Sequence, residues 1–496
     1  MMSCWPGGIY NDTCDSIDIA LGRSAMSNQN TVLYALFWRL IFGIGQIINQ
    51  GDYGGLKLMT ILQPAAIAAV AASFITWLRS RGAGKWLIVM LTAIVALFPV
   101  FPYYGISLWK ETWFGLEFFL YTWIWFVLYD EFVKDPADDD GADEQDEKKE
   151  VSGNTPGMKM TVLYVMSTIL VIFGRNNGLY VVLFTMVIAL IILYRVIAKR
   201  AWRRLLAVNI IVVIFALLLQ GPVYRAVGIK SSSPAESLGI PLQQTAYMIS
   251  KSAVTGLTDI IGDEVETDDP AGNIDMDAVV REGLGMSDQS YEVINSVMPI
   301  DAWVNLYNPV VVDSIKFGEF FDKEYFAAHT GDFLRAYAEL VLKNPKLAFQ
   351  GYLLSTMGFW DAYKSSSSAY ICTAHTAQAE YFMSDYFNVI TDRYLSDIVG
   401  PRWYISSGGL VWIMLALFVL CSGRSGREHT DKPEGDRAGD KDCCARIMST
   451  ITFLPGIALW LTYMLATPLS FSFRYVFGLL LCIPIYMMAA IKNAQA

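Results

Sequence analysis

Stretches of this chain as long as a bilayer is thick carry almost no charge, and they constrain its fold more than any other feature. The apolar blocks run at about 57–78, 86–103, 112–129, 159–174, 178–198, 205–221, 404–421, 447–466 and 473–491. A helix needs about 20 apolar residues to cross the ~30 Å hydrocarbon core. Backbone groups in lipid must be satisfied within their own segment, so the blocks are read as helices rather than strands. With 54% of its 496 residues hydrophobic and only 17% charged, the chain does not suit a single water-soluble globule. The expected fold class is all-α: a polytopic integral membrane protein of about nine transmembrane helices, with outer juxtamembrane helices and one extracytoplasmic, mostly helical domain.

Lysine and arginine in the short loops orient the spans. Arg79, Arg81 and Lys85 follow the first block, Arg195 to Arg204 separate the fifth from the sixth, and Arg424 to Arg446 precede the last two. All three loops fall on one side when every block is counted once, and that side is read as cytoplasmic, with the C-terminus on it. The acidic run Asp135 to Glu150 falls there too. It has no aromatic or β-branched residue, so it is read as a disordered connector.

The expected organisation is a first extracytoplasmic loop with interfacial helices (1–56) and an N-terminal transmembrane bundle (57–221) holding the acidic loop 130–158. An extracytoplasmic domain (222–402) and C-terminal transmembrane helices (403–496) with a cytoplasmic loop 422–446 follow. Residues 31–48 are long enough to span, but counting them reverses every later loop, and Arg39 sits in their middle. They are read as a helix in the outer interface, with Trp38 and Arg39 at headgroup level. Residues 1–30 read as an interior loop, so the expectation is either that the first hairpin translocates the N-terminus or, in better accord with this reading, that an earlier helix precedes residue 1. In 222–402, helical stretches are predicted around 241–253 and 324–358.

The net charge of -10 sits largely in the acidic run, and no basic patch interleaved with aromatics points to nucleic acid. The seven cysteines show no CxxC, and the three histidines are scattered, so no structural metal is expected. Cys4 and Cys14 are close enough to pair outside the cytoplasm.

Charged residues where the bilayer should begin are costly and call for an explanation. Asp12 follows the turn Trp5-Pro6-Gly7-Gly8 and is read either as a general base or as a helix N-cap. Lys110 and Glu111 open a span; Lys110 has the reach to snorkel to the interface, whereas Glu111 does not. Arg175-Asn176-Asn177-Gly178 joins two spans with almost no loop. Turn chemistry accounts for the last three residues but not for the arginine. Arg474, followed by Tyr475, lies about one turn into the last span. Guanidinium groups at this depth can hold a phosphate through two parallel hydrogen bonds. Asp12 and Glu111 are therefore the candidate catalytic residues. Lys110, Arg175, Asn176, Arg474 and Tyr475 are the candidates for binding lipid-borne phosphate.

The order of Pro6-Gly7, Asp12, Lys110-Glu111, Arg175-Asn176-Asn177-Gly178, Ile240-Pro241-Leu242-Gln243-Gln244, Asn344-Pro345 and Thr467-Pro468 to Arg474-Tyr475 resembles a family of uncharacterised bacterial polytopic membrane proteins. That family is similar in layout to the GT-C glycosyltransferases. The resemblance implies a catalytic aspartate in the first external loop, here Asp12, and a second acidic residue near the next external turn, here Glu111. It also implies a polyprenyl-phosphate-linked sugar as donor and an envelope glycan or protein as acceptor, at the bacterial cell membrane. No cofactor is assigned, and a divalent metal is compatible with this chemistry. The chain departs from the family pattern at Asn30-Thr31, where His-Pro is common, and at Lys110-Glu111, where Lys-Asp is common. The expected function is sugar transfer from a polyprenyl-phosphate carrier. The alternatives are a flippase or transporter of lipid-linked saccharides, and an inactive envelope scaffold.

Overall fold

The computed structural model describes residues 8–9, 11–48, 51–133, 157–195, 197, 199–263, 275–363, 406–422, 447, 449–466 and 469–495. The acidic run, residues 364–402, most of the 422–446 loop, Cys4 and the dipeptides Pro6-Gly7 and Thr467-Pro468 lie outside them. Among the described residues every regular element is helical, and β pairing is limited to three isolated bridges.

In chain order the elements are α1 (Asn11–Ala20), α2 (Val32–Ile47), α3 (Gly51–Ser80), α4 (Lys85–Leu97), α5 (Val100–Ile106), α6 (Lys110–Val133), α7 (Met158–Gly174), α8 (Gly178–Leu193), α9 (Lys199–Leu218) and α10 (Tyr224–Ala226). A π turn, Leu219–Val223, joins α9 to α10 at Pro222, whose missing N–H breaks the regular ladder. Shorter helices follow: α11 (Pro234–Ser237), α12 (Gly239–Asp263), α13 (Met276–Leu284), α14 (Asp288–Val297), α15 (Ile300–Leu306), α16 (Asp313–Lys316), α17 (Lys323–Ala328), α18 (Thr330–Lys343) and α19 (Pro345–Thr356). The chain closes with α20 (Ser407–Ser422), α21 (Leu454–Ala466) and, after a 3₁₀ turn at Phe473–Val476, α22 (Phe477–Gln495).

Among the described residues, four stretches are long and apolar enough to cross a membrane: Gly54–Ser80, Lys199–Ala226, Ser449–Ala466 and Phe473–Ile491. The pair α4–α5 makes a fifth if it is one span bent by 49°. Its break has a local cause. Phe98 is extended at ψ 120, as a residue before a proline prefers, and Pro99 follows. The apolar helices α2, α7, α8 and α20 have 16 or 17 residues. At 1.5 Å per residue each reaches about 24–26 Å, short of the ~30 Å core. Helix α6 is long enough at 24 residues but carries Glu117 within it.

The largest core joins α3, α6–α9 and α20–α22 through aromatic packing. Helices α6 and α22 cross closely because Gly115 and Gly478 face each other; a Cβ on Gly115 would lie 2.7 Å from the Phe477 ring. Helices α1, α2 and the start of α3 form a smaller core around Trp38, Phe42 and Leu56. Trp38 is fully buried there and stacks on Phe42, so its ring packs against protein. Arg39 is exposed.

Helices α11–α18 build a separate core around Trp303, Phe326 and Phe333. The helix predicted over 324–358 divides into α17, α18 and α19. Asn344, at φ -126 and ψ 55, leaves the helical region one residue before Pro345. This group touches the bundle where Val311 bridges Leu469 and Ser470 N–H donates to the Val310 carbonyl.

Candidate functional site

Four chain ends meet at one end of the bundle, and each arrives there for a local reason. The corner between α5 and α6 is fixed by the N-terminal segment: Gly8 N–H donates to the Ile106 carbonyl, and Leu108 N–H returns to Gly8. The Leu108 carbonyl also accepts from Thr13 Oγ1 at 2.7 Å and from Tyr34 Oη at 2.8 Å. From the other side, Gln63 Nε2 donates to the carbonyls of Tyr104, Gly105 and Ser107. These bonds hold α1, and with it Asp12, against the first turn of α6.

The α7–α8 turn brings in Arg175. Gly178 makes this turn possible, because a Cβ there would lie 1.8 Å from the Val171 carbonyl oxygen. The segment leading into α22 brings in Arg474 and Tyr475 beside the close α6–α22 crossing.

Asp12, Lys110, Glu111, Arg175, Arg474 and Tyr475 all fall in one cluster. Asp12 Oδ2 lies 3.3 Å from Arg474 Nη1 and 3.9 Å from Lys110 Nζ. Arg175 Nη2 lies 3.8 Å from Glu111 Oε1, and Glu111 is almost wholly buried, with 1% of its side chain exposed. The Tyr475 ring ties the two arginines together, with the Arg175 guanidinium 4.3 Å and the Arg474 guanidinium 5.2 Å from its centroid. Asn176 is exposed and donates to the Gln29 carbonyl at the rim, so it stands apart from the charges.

Asp12 lies in the first turn of α1, and its carboxylate faces cations rather than capping the helix. Lys110 does not snorkel: its Nζ donates to Asn30 Oδ1 at 2.6 Å and is mostly buried. Three cations thus face two carboxylates, an excess of one positive charge. Burial pushes the Asp12 carboxyl up, but Lys110, then Arg474 and Arg175, more than offset it and hold the group below the usual carboxylate range. Lys316, from the α11–α18 group, adds to the same field. Asp15 goes the other way, raised by burial and by Asp12.

Several partners carry no signal in sequence. Tyr463 Oη accepts from Arg175 Nη1 at 3.0 Å. Trp109 lies under the Arg474 guanidinium at 5.4 Å, buried rather than in an aromatic belt. Asn30 links Lys110 to Asp15. Next to it, Thr31 has φ 50, an uncommon and strained conformation for a β-branched residue. Tyrosine, tryptophan and asparagine are ordinary at helix ends, so only proximity to the cations distinguishes these residues.

The cluster has the elements that an anion with a reacting neighbour requires: unsaturated guanidinium donors, an ammonium group, and carboxylates able to take a proton. Among the described residues no three His, Cys, Asp or Glu side chains come together to hold a metal ion. The family model of DUF6020, a family of unknown function, matches residues 21–256, which include α2 to α11, most of α12, and therefore Lys110, Glu111 and Arg175. No curated protein and no solved structure matches the chain.

Proposed function

We propose that the chain is a GT-C-like membrane glycosyltransferase that moves a sugar from a polyprenyl-phosphate carrier to an envelope acceptor at the outer face of the bacterial cell membrane. The observation that carries this reading is the convergence of Asp12, Lys110, Glu111, Arg175 and Arg474, drawn from four distant parts of the chain. With it goes the nine-span arrangement, in which the bilayer thins locally around the shorter apolar helices. Helices α11–α19 then rest on the outer surface.

In this reading Arg474 and Lys110 hold the carrier's phosphate, and Arg175 supports it through Tyr475. Asp12 accepts the proton of the acceptor hydroxyl as its oxygen attacks the anomeric carbon. The bond from that carbon to the phosphate oxygen breaks, and its electron pair leaves on the phosphate, where the cations stabilise it. The sugar passes through an oxocarbenium-like state. The closed Asp12–Arg474 pair leaves no room for a phosphate, so carrier binding must part it. Loss of that cation raises the basicity of Asp12 when a base is needed.

The test is carrier affinity and chemistry measured together in nanodiscs. Arg474→Gln should weaken binding of a polyprenyl phosphate by at least about tenfold, the scale of a lost charge-assisted hydrogen bond. Unchanged affinity removes Arg474 from the site. A flippase would carry the intact donor across a liposome membrane without releasing polyprenyl phosphate, and that outcome would replace the transferase reading.

A further inference from the structure

Close in the chain to the ion-paired residues are buried polar atoms that no described residue satisfies. Ser470 and Ser472 are 0% and 1% exposed, yet among the described residues neither hydroxyl has a hydrogen-bond partner. Two residues further on, Arg474 Nε is buried and equally unpaired. Across the cluster, Glu111 Oε2 and Asn177 Oδ1 are buried acceptors without donors. Buried polar groups are nearly always paired, and each orphan costs about 1–3 kcal/mol in a folded protein. These five buried atoms belong to residues of the charged cluster or to residues within four positions of them in the chain, and a ligand there would satisfy them.

They also sort by chemistry. The donors lie together on the segment 470–474, and Arg474 Nε donates only. The two acceptors lie on α6 and the α7–α8 turn, beside Arg175. A group rich in acceptor oxygens would satisfy the first set, and hydroxyl groups would satisfy the second. We propose that this is a composite subsite for a sugar phosphate, in which Ser470, Ser472 and Arg474 Nε cradle the phosphate while Glu111 and Asn177 accept from sugar hydroxyls. The proposal rests on the transferase reading for the carrier, but the subsite itself follows from the orphaned atoms.

Removing a hydroxyl that the fold leaves unsatisfied relieves a burial cost, whereas removing one that binds ligand weakens affinity. The two readouts therefore move independently. The double variant Ser470→Ala/Ser472→Ala should keep or raise the Tm of the detergent-solubilised full chain. It should also lose about tenfold or more in affinity for farnesyl phosphate, as expected when a hydrogen bond to a charged group is lost. Ser472→Thr, which keeps a hydroxyl, should retain more affinity than Ser472→Ala. A lowered Tm with unchanged affinity would show that the hydroxyls serve the fold and would overturn the proposal, as would equal affinities for the Thr and Ala variants.

Hexose 1-phosphate and inorganic phosphate serve as the other probes. Binding of hexose 1-phosphate that is tighter than phosphate, and weakened by Glu111→Gln, supports the sugar half; equal binding of the two removes it. If the serine variants lose affinity while no sugar transfer is ever detected, the subsite stands and the transferase reading falls. Transfer that the double variant leaves untouched has the reverse meaning.

Discussion

Asp12 is where the charge balance of the site is decided. Its carboxyl is held below the usual range because Lys110, Arg474 and Arg175 outweigh its burial. A depressed carboxylate contributes stability that is present above its unfolded value of 3.8 and is lost as pH falls through the folded value. Thermal stability of the wild type should therefore exceed that of Asp12→Asn at neutral pH, and the gap should close below about pH 3.8. A pH series of Tm values for the two proteins checks this. Because Asp15 shifts in the opposite direction, the difference between them is the quantity to read. A gap that shows no narrowing at all as pH falls below 3.8 would mean that Asp12 stabilises through packing, not charge.

At the scale of elements, the site depends on close approaches that glycine permits. The α7–α8 turn carries Arg175 toward Tyr463 and Tyr475, and a Cβ on Gly178 would meet backbone, which cannot yield as a flexible side chain can. Gly178→Ala should open this turn, lower stability by about 1–3 kcal/mol and weaken carrier binding. Gly43→Ala, in α2, meets nothing within 4 Å and serves as the control. Equal Tm values for the two variants would show that the turn tolerates the added methyl.

Across the whole molecule, the α11–α18 group is tied together beside the site by one buried lysine. Lys316 Nζ pairs with Glu236 on α11 at 2.9 Å and with Asp313 at 3.0 Å, with 3% of its side chain exposed. Burial alone pulls its ammonium down, but the two carboxylates more than restore it and hold it raised. Its contribution is therefore full below pH 10.5 and lost as pH rises through the higher folded value. Lys316→Met leaves two partly buried carboxylates without their cation and should cost about 1–3 kcal/mol, the scale of a polar group left unsatisfied. Adding Glu236→Gln and Asp313→Asn should recover most of it, as urea unfolding would report. No recovery would mean that the lysine stem, not its charge, holds the group.

What was legible in the sequence follows from what each residue costs in lipid. A carboxylate without reach, such as Glu111, or an arginine in a loopless turn, such as Arg175, is conspicuous because nothing local excuses it. Asp12 was ambiguous, since an N-cap gives the same pattern. Ser470, Ser472 and Tyr463 were invisible, because their meaning depends on neighbours brought in from elsewhere in the chain, and Asn30 stood out only as a departure from the family pattern. The apolar blocks located the helices well but overstated their regularity. Pro99 breaks one block, and α7, α8 and α20 end several residues short of a full crossing.

The proposed chemistry is tested most directly by Asp12→Asn in nanodiscs supplied with a polyprenyl-phosphate-linked sugar and an envelope acceptor, with released carrier phosphate and carrier affinity both measured. The variant lacks the carboxylate that competes for Arg474, so it should bind the carrier at least as tightly as the wild type. Its turnover should nonetheless fall by about 100-fold or more, the contribution of a positioned base. Sugar transfer at the wild-type rate by Asp12→Asn would contradict the account.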